Sequence, residues 1–123
     1  MFKILIVEDD KELSLLFQKV LEKSGYQVKS ASDGAQALKV LDKEYIDLII
    51  SDIMMPVMDG LETAEKIRKS GREDAGTVII IAMSANAFYD DIERSIKAGM
   101  NTHIAKPIDA DELVNIIARQ AGR

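Results

Sequence analysis

Glu8, Asp9, Asp52, Ser84 and Lys106 are the residues of this 123-residue chain whose types and spacing could do chemistry. Each stands where an apolar run stops. Lys3 to Val7 runs into Glu8-Asp9-Asp10, the run from Ile46 to Ile50, broken only by Asp47, runs into Ser51-Asp52, Thr77 to Met83 into Ser84, and Thr102 to Ala105 into Lys106-Pro107. Taken alone, each has a plain structural use: Asp10 as a helix cap, the other acids as favourable charges in a first helical turn, Ser84 as a cap and Lys106 as a solvated side chain. Brought together they mean more. Two carboxylates about 5 Å apart repel by roughly 3 kcal/mol at an effective dielectric of about 20, and several such pairs would consume much of a domain's stability unless a cation sat among them. The ligands on offer are hard oxygens without a cysteine, which suits Mg²⁺, with Mn²⁺ as the alternative ion. A carboxylate at such an ion, with a hydroxyl and an ammonium arriving from other strands, can attack an electrophilic phosphorus while the cations neutralise its oxygens. The expected chemistry is phosphoryl acceptance on Asp52, served by Ser84 and Lys106.

These residues can meet only if the elements between them place them at one end of a sheet. After the first strand, Leu13, Leu16, Phe17, Val20 and Leu21 fall at helical spacing, and Gly25 stands where a C-cap is expected. Tyr26 to Ala31 is a weaker strand, followed by Asp33 as cap of a helix that turns Ala35, Leu38 and Leu41 inward. Leu61, Ala64 and Ile67 mark a third helix ending near Ser70-Gly71; Phe88, Ile92 and Ile96 mark a fourth, stopped by Gly99. Asp109 and Glu112 open the last helix, which buries Leu113, Ile116 and Ile117. Five strands, each followed by a helix through short connections, imply an α/β fold: a parallel five-stranded sheet built by right-handed crossovers with helices on both faces. In such sheets ligands collect at the C-terminal strand ends, where the acids, Ser84 and Lys106 stand.

Composition narrows the function further. At 47% hydrophobic and 30% charged residues the chain has the material for one core, and 1–123 is expected to form one domain. Zero cysteines exclude a disulfide framework and a thiolate metal site. The net charge of −5 argues against direct nucleic-acid binding, and no apolar run is long enough to insert in a membrane; a cytoplasmic protein with protein partners is expected.

The acidic start Ile6-Val7-Glu8-Asp9-Asp10, the run from Asp52 to Gly60, the pair Ser84-Ala85 and Lys106-Pro107, in this order and spacing, resemble the receiver domain of two-component response regulators over essentially the whole chain. The resemblance implies a flavodoxin-like, doubly wound (βα)5 three-layer sandwich with strand order 2-1-3-4-5. It implies that Asp52 accepts a phosphoryl group from a phosphohistidine on a sensor histidine kinase or histidine phosphotransfer protein, in a phosphorelay domain that catalyses only its own phosphorylation and dephosphorylation. Asp9 and Asp52 then match direct Mg²⁺ ligands, Met54 a ligand through its backbone carbonyl, and Glu8 a ligand through water. Ser84 matches the hydroxyl that moves to the phosphoryl oxygen and Lys106 the ammonium that pairs with it, while Met54 and Asn86 match the positions flanking the group. The helix 4, strand 5 and helix 5 surface would signal to a downstream protein target. Two positions depart from the usual pattern: Glu8 is longer by a methylene than the commoner Asp, and His103 stands where a switch Tyr or Phe rotates inward. The segment from Ser84 to Ile108 is similar to receivers of hybrid histidine kinases, so the chain is a stand-alone receiver or one domain of a longer protein. Three rival readings fit the sequence less well. A haloacid-dehalogenase-type phosphohydrolase wants an acid two residues after its nucleophile, where Met54 stands; a flavodoxin-like binding module wants a Ser/Thr/Gly-rich loop after strand one; a pseudo-receiver would lack site residues that are all present here.

Overall fold

A computed structural model of the chain describes residues 2–53, 60–71, 76–84, 89–106 and 108–122. Strands and helices alternate: β1 Lys3–Val7, α1 Lys11–Lys23, β2 Gln27–Ala31, α2 Gly34–Lys43, β3 Leu48–Asp52, α3 Gly60–Lys69, β4 Ile79–Ser84, α4 Tyr89–Lys97, β5 Thr102–Ala105 and α5 Ala110–Gln120. Asp10 caps α1, its Oδ1 accepting from the amides of Glu12 and Leu13 at 3.0 and 3.1 Å. Asp33 caps α2 by accepting from Gln36 N at 2.9 Å, and Asp109 caps α5 by accepting from Glu112 N at 2.8 Å. Gly25 and Gly99 end α1 and α4 at φ of 94° and 101°, the left-handed conformation that only glycine adopts cheaply.

The strands form one parallel sheet in the order β2-β1-β3-β4-β5, the doubly wound arrangement. Side chains alternate between two cores. Phe17, Leu21, Leu113 and Ile117 of α1 and α5 pack on Ile4, Ile6, Leu48, Ile50, Ile81 and Met83, whereas Ala37, Leu41, Ala64 and Ile67 of α2 and α3 pack on Leu5, Val7, Ile49, Ile80 and Ala82. β1 and β3 are covered on both faces, hence their near-continuous apolar sequence. Register does the positioning: Val7 pairs with Ser51, Asp52 with Met83 and Ser84 with Ala105, so Glu8, Asp52, Ser84 and Lys106 emerge side by side at the C-terminal ends of β1, β3, β4 and β5. Among the described residues no helix is long and apolar enough to cross a membrane.

Not every side chain expected in the core is enclosed by it. Leu16 is 53% exposed and Ile96 61% exposed, and Ala35 is only half-buried. Helix phase is the reason. The buried face of α1 is centred on Ser14, Phe17 and Leu21, from which Leu16 lies about 130° away around the axis. A strict four-residue repeat such as Phe88, Ile92, Ile96 drifts about 40° per step, so Ile96 has turned to solvent while Ser95 and Ala98 face inward. In α2 the fully buried positions are Gly34, Ala37 and Leu41. β2 and β4 begin one and two residues later than their apolar runs suggest, at Gln27 and Ile79.

Two contacts lock the frame. Arg68, at the end of α3, donates to Val78 O at 2.7 Å, Gly99 O at 2.8 Å and Asn101 Oδ1 at 2.8 Å, tying α3 to the entries of β4 and β5. Gly60, the first residue of α3, donates to Ile53 O at 3.0 Å, and a Cβ there would stand 2.5 Å from Asp52 O and 2.9 Å from Ile53 Cα. Those neighbours are backbone and cannot swing aside. Gly60→Ala is expected to cost about 1–3 kcal/mol, read as a lower urea midpoint at unchanged slope; a cost within about 0.5 kcal/mol would show that α3 starts elsewhere.

Candidate functional site

Three carboxylates and one ammonium converge at the sheet's C-terminal end. One oxygen from each of Glu8, Asp9 and Asp52 lies within 4.8 Å of the others. Glu8 and Asp52 are buried and Asp9 is exposed, so the cluster has a closed floor and an open mouth. Lys106 Nζ donates to Glu8 Oε1 at 2.6 Å and to Asp52 Oδ2 at 3.0 Å. Glu8 Oε2 accepts from the Asp10 amide at 3.2 Å. The strand ends hold these groups rigidly: Glu8 N donates to Ala31 O at 3.1 Å and Lys106 N to Ser84 O at 2.8 Å.

One ammonium cannot balance three carboxylates. Burial pushes the Glu8 carboxyl up to about 7, against the lowering effect of its hydrogen bonds from Lys106 and the Asp10 amide, and the Asp52 charge adds to the rise. Burial works against the charge on Lys106, yet its bonds to Glu8 and Asp52 carry it above its ordinary value. The cluster therefore keeps Lys106 cationic and relieves its surplus negative charge by protonating Glu8, unless another cation arrives. Oxygen donors at this spacing fit a hard divalent ion, with Glu8, Asp9 and Asp52 as the residues that could hold it.

Beside this cluster lies a chain of polar side chains. Ser84 Oγ is 3.0 Å from His103 Nε2, and Ser95 Oγ of α4 is 3.1 Å from His103 Nδ1. Ser84 and Ser95 are 3% and 1% exposed. The sequence reading thus finds Glu8, Asp9, Asp52, Ser84, Lys106 and His103 around one end of the sheet. Its assignments for Met54, Asn86 and Phe88 lie outside the described residues. It did not anticipate the direct Glu8–Lys106 ion pair, and it missed Ser95, whose signal is a polar residue three positions after Ile92 and three before Ala98 on the inward face of α4.

The model of the response regulator receiver domain matches residues 4–118. The chain belongs to this family. Sensor histidine kinase RcsC of Salmonella typhi is 37% identical over 120 residues, which cover 98% of this chain and 12% of that protein, so the receiver spans about an eighth of this relative's length. Sporulation initiation phosphotransferase F of Bacillus subtilis is 36% identical over 117 residues, covering 95% of this chain and 91% of its own. The receiver domain of sensor histidine kinase PA1611 from Pseudomonas aeruginosa PAO1, solved with a magnesium ion coordinated in its active site cleft, superposes with a TM-score of 0.88 at 36% identity, covering 99% of this chain and 98% of that one. The chain is thus a receiver domain of two-component phosphorelay signalling with a flavodoxin-like fold. The family is a signalling one, and the acidic cluster of this receiver has the ligand set that could hold a metal ion.

Glu8 keeps its proton to about pH 7 in the fold, well above its ordinary 4.5. Between those values the native state binds more protons than the unfolded one, so this residue's contribution to stability falls as pH rises through the window. In EDTA, wild type should therefore lose stability relative to Glu8→Gln between about pH 5 and pH 7, seen in thermal melts across a buffer series. Superposable profiles of the two proteins would contradict the shift.

Proposed function

We propose that this receiver accepts a phosphoryl group on Asp52 in a Mg²⁺-dependent transfer from a phosphohistidine. The observation that carries the reading is the position of Lys106 Nζ, 3.0 Å from Asp52 Oδ2 at the cluster formed with Glu8 and Asp9. An Asp52 carboxylate oxygen forms the new bond to phosphorus as the phosphorus–nitrogen bond of the donor breaks, and the electron pair leaves with the imidazole. Lys106 and the Ser84 hydroxyl hold two phosphoryl oxygens, and Asp9 and Asp52 would hold the ion directly, with Glu8 through water and the Met54 backbone carbonyl as the further ligand. Bound there, the ion would supply positive charge against the transferring group. Met54 and Asn86, which lie outside the described residues, would flank the phosphoryl group, and His103 is the switch residue.

The donor is a sensor histidine kinase or a histidine phosphotransfer protein, which fits the kinase and phosphotransferase relatives. Phosphorylation shifts the population toward a state in which the surface of α4, β5 and α5 engages a downstream protein in the cytoplasm. The domain turns over only its own phosphoryl group.

Incubation with acetyl phosphate and Mg²⁺ should give a phosphorylated species, detected by intact mass, that is lost in Asp52→Asn and in EDTA; steady release of phosphate from phosphomonoesters would instead mark a hydrolase. Mg²⁺ alone should raise the melting temperature of wild type by mass action, and Asp9→Ala should remove that gain. A wild-type melt indifferent to millimolar Mg²⁺ would count against the ion site.

A further inference from the structure

Ser84, His103 and Ser95 connect three elements, β4, β5 and α4, by two hydrogen bonds of 3.0 and 3.1 Å to opposite nitrogens of one ring. A neutral imidazole carries one N–H and one bare nitrogen, so its two bonds cannot both be donated or both be accepted by the ring. A hydroxyl can do either. With the ring neutral, only two arrangements satisfy the chain. In one, the Ser84 hydroxyl donates to Nε2 and Nδ1–H donates to Ser95 Oγ. In the other, Nε2–H donates to Ser84 Oγ and the Ser95 hydroxyl donates to Nδ1. Reversing one bond reverses the other.

We infer that Ser95 and His103 are positioning residues that carry the state of the phosphoryl site to α4 through the tautomer of the imidazole. The inference rests on the proposed phosphoryl acceptor and adds to it a path and a residue on α4. A Ser84 hydroxyl that donates its proton to a phosphoryl oxygen keeps only acceptor capacity toward His103, which selects the Nε2–H tautomer and makes Ser95 the donor to Nδ1. A helical serine otherwise turns its hydroxyl to a carbonyl one turn earlier on its own helix. In the Nε2–H arrangement that proton goes to Nδ1 instead, so a carbonyl of α4 loses a donor while the bond between α4 and β5 is kept. Burial protects the exchange: both serines are almost fully enclosed, so water does not compete for the bonds.

His103 is the sole histidine, so its ring is an unambiguous reporter. In protein labelled with ¹⁵N-histidine, long-range proton–nitrogen spectra distinguish the two tautomers. Adding BeF₃⁻ and Mg²⁺ to wild type should move the population to Nε2–H, and Ser84→Ala should abolish that response. Ser95→Ala should still take up BeF₃⁻ at Asp52, followed by ¹⁹F resonances, yet show less than half of the wild-type amide shifts in α4, and Ser95→Thr, which keeps the hydroxyl, should restore them. A bound BeF₃⁻ with an unchanged tautomer ratio, a ring doubly protonated in both states, or full α4 shifts in Ser95→Ala would overturn the coupling while leaving the acceptor reading intact. Failure of wild type to take up BeF₃⁻ would overturn both.

Discussion

The placement of one ammonium between two buried carboxylates governs this molecule. Lys106 reaches Glu8 at 2.6 Å and Asp52 at 3.0 Å from the end of a different strand in each case. A buried carboxylate without a partner is strongly unfavourable, and Lys106 partners both acids at this depth. Yet the pairing is incomplete by construction, since Asp9 adds a third negative charge to a cluster with a single described cation. The deficit leaves the site short of positive charge in its resting form and so receptive to a divalent ion. An ion that settles it also brings the positive charge that a phosphoryl dianion requires.

Such a site needs a frame that does not yield. The paired registers of β1, β3, β4 and β5 place four functional side chains within reach of one another, and two cores of Ile, Leu and Ala hold the sheet from both faces. Gly60 allows α3 to begin against the Asp52 carbonyl, and Arg68 fixes the opposite end of that helix to β4 and β5. α4 is attached differently. Its inward face carries a hydroxyl, Ser95, bonded to His103, where a purely apolar contact would have been non-directional. Hydrogen bonds have alternative arrangements of similar energy; close-packed apolar side chains do not.

Much of this was legible in the chain because parallel strands announce their ends. An apolar run that stops at an acid, a hydroxyl or a lysine identifies a strand terminus, and a βα alternation sends all such termini to one side. Glu8, Asp52, Ser84 and Lys106 were found by that logic, and the acidic cluster is as compact as the repulsion argument required. Leu16 and Ile96 were misplaced because a list of apolar residues fixes a helix's stripe only to within a turn's phase, and two of these helices settle on a face that includes a buried serine. Ser95 and Arg68 were invisible for a different reason. Their partners lie 8 and 31 residues away on other elements, and a serine or arginine on a helix has an ordinary solvated reading until the fold supplies the partner.

The longer acid at position 8 has a consequence of its own. Its carboxylate is oriented at both oxygens, Oε2 by the Asp10 amide at 3.2 Å and Oε1 by Lys106 at 2.6 Å, and the extra methylene carries it to the ammonium. An ammonium has three protons to donate, and Glu8 takes one at a distance shorter than that to Asp52. Under the proposed function, Glu8 and an incoming phosphoryl oxygen would therefore share one ammonium. Protonation of Glu8, or its engagement with a cation, weakens its hold on Lys106 and, in the proposed transfer, would let the ammonium shift toward Asp52 and the phosphoryl group. In that proposal the step that neutralises the cluster is also the step that loosens the lysine, so charge balance and phosphoryl recognition would meet in a single side chain.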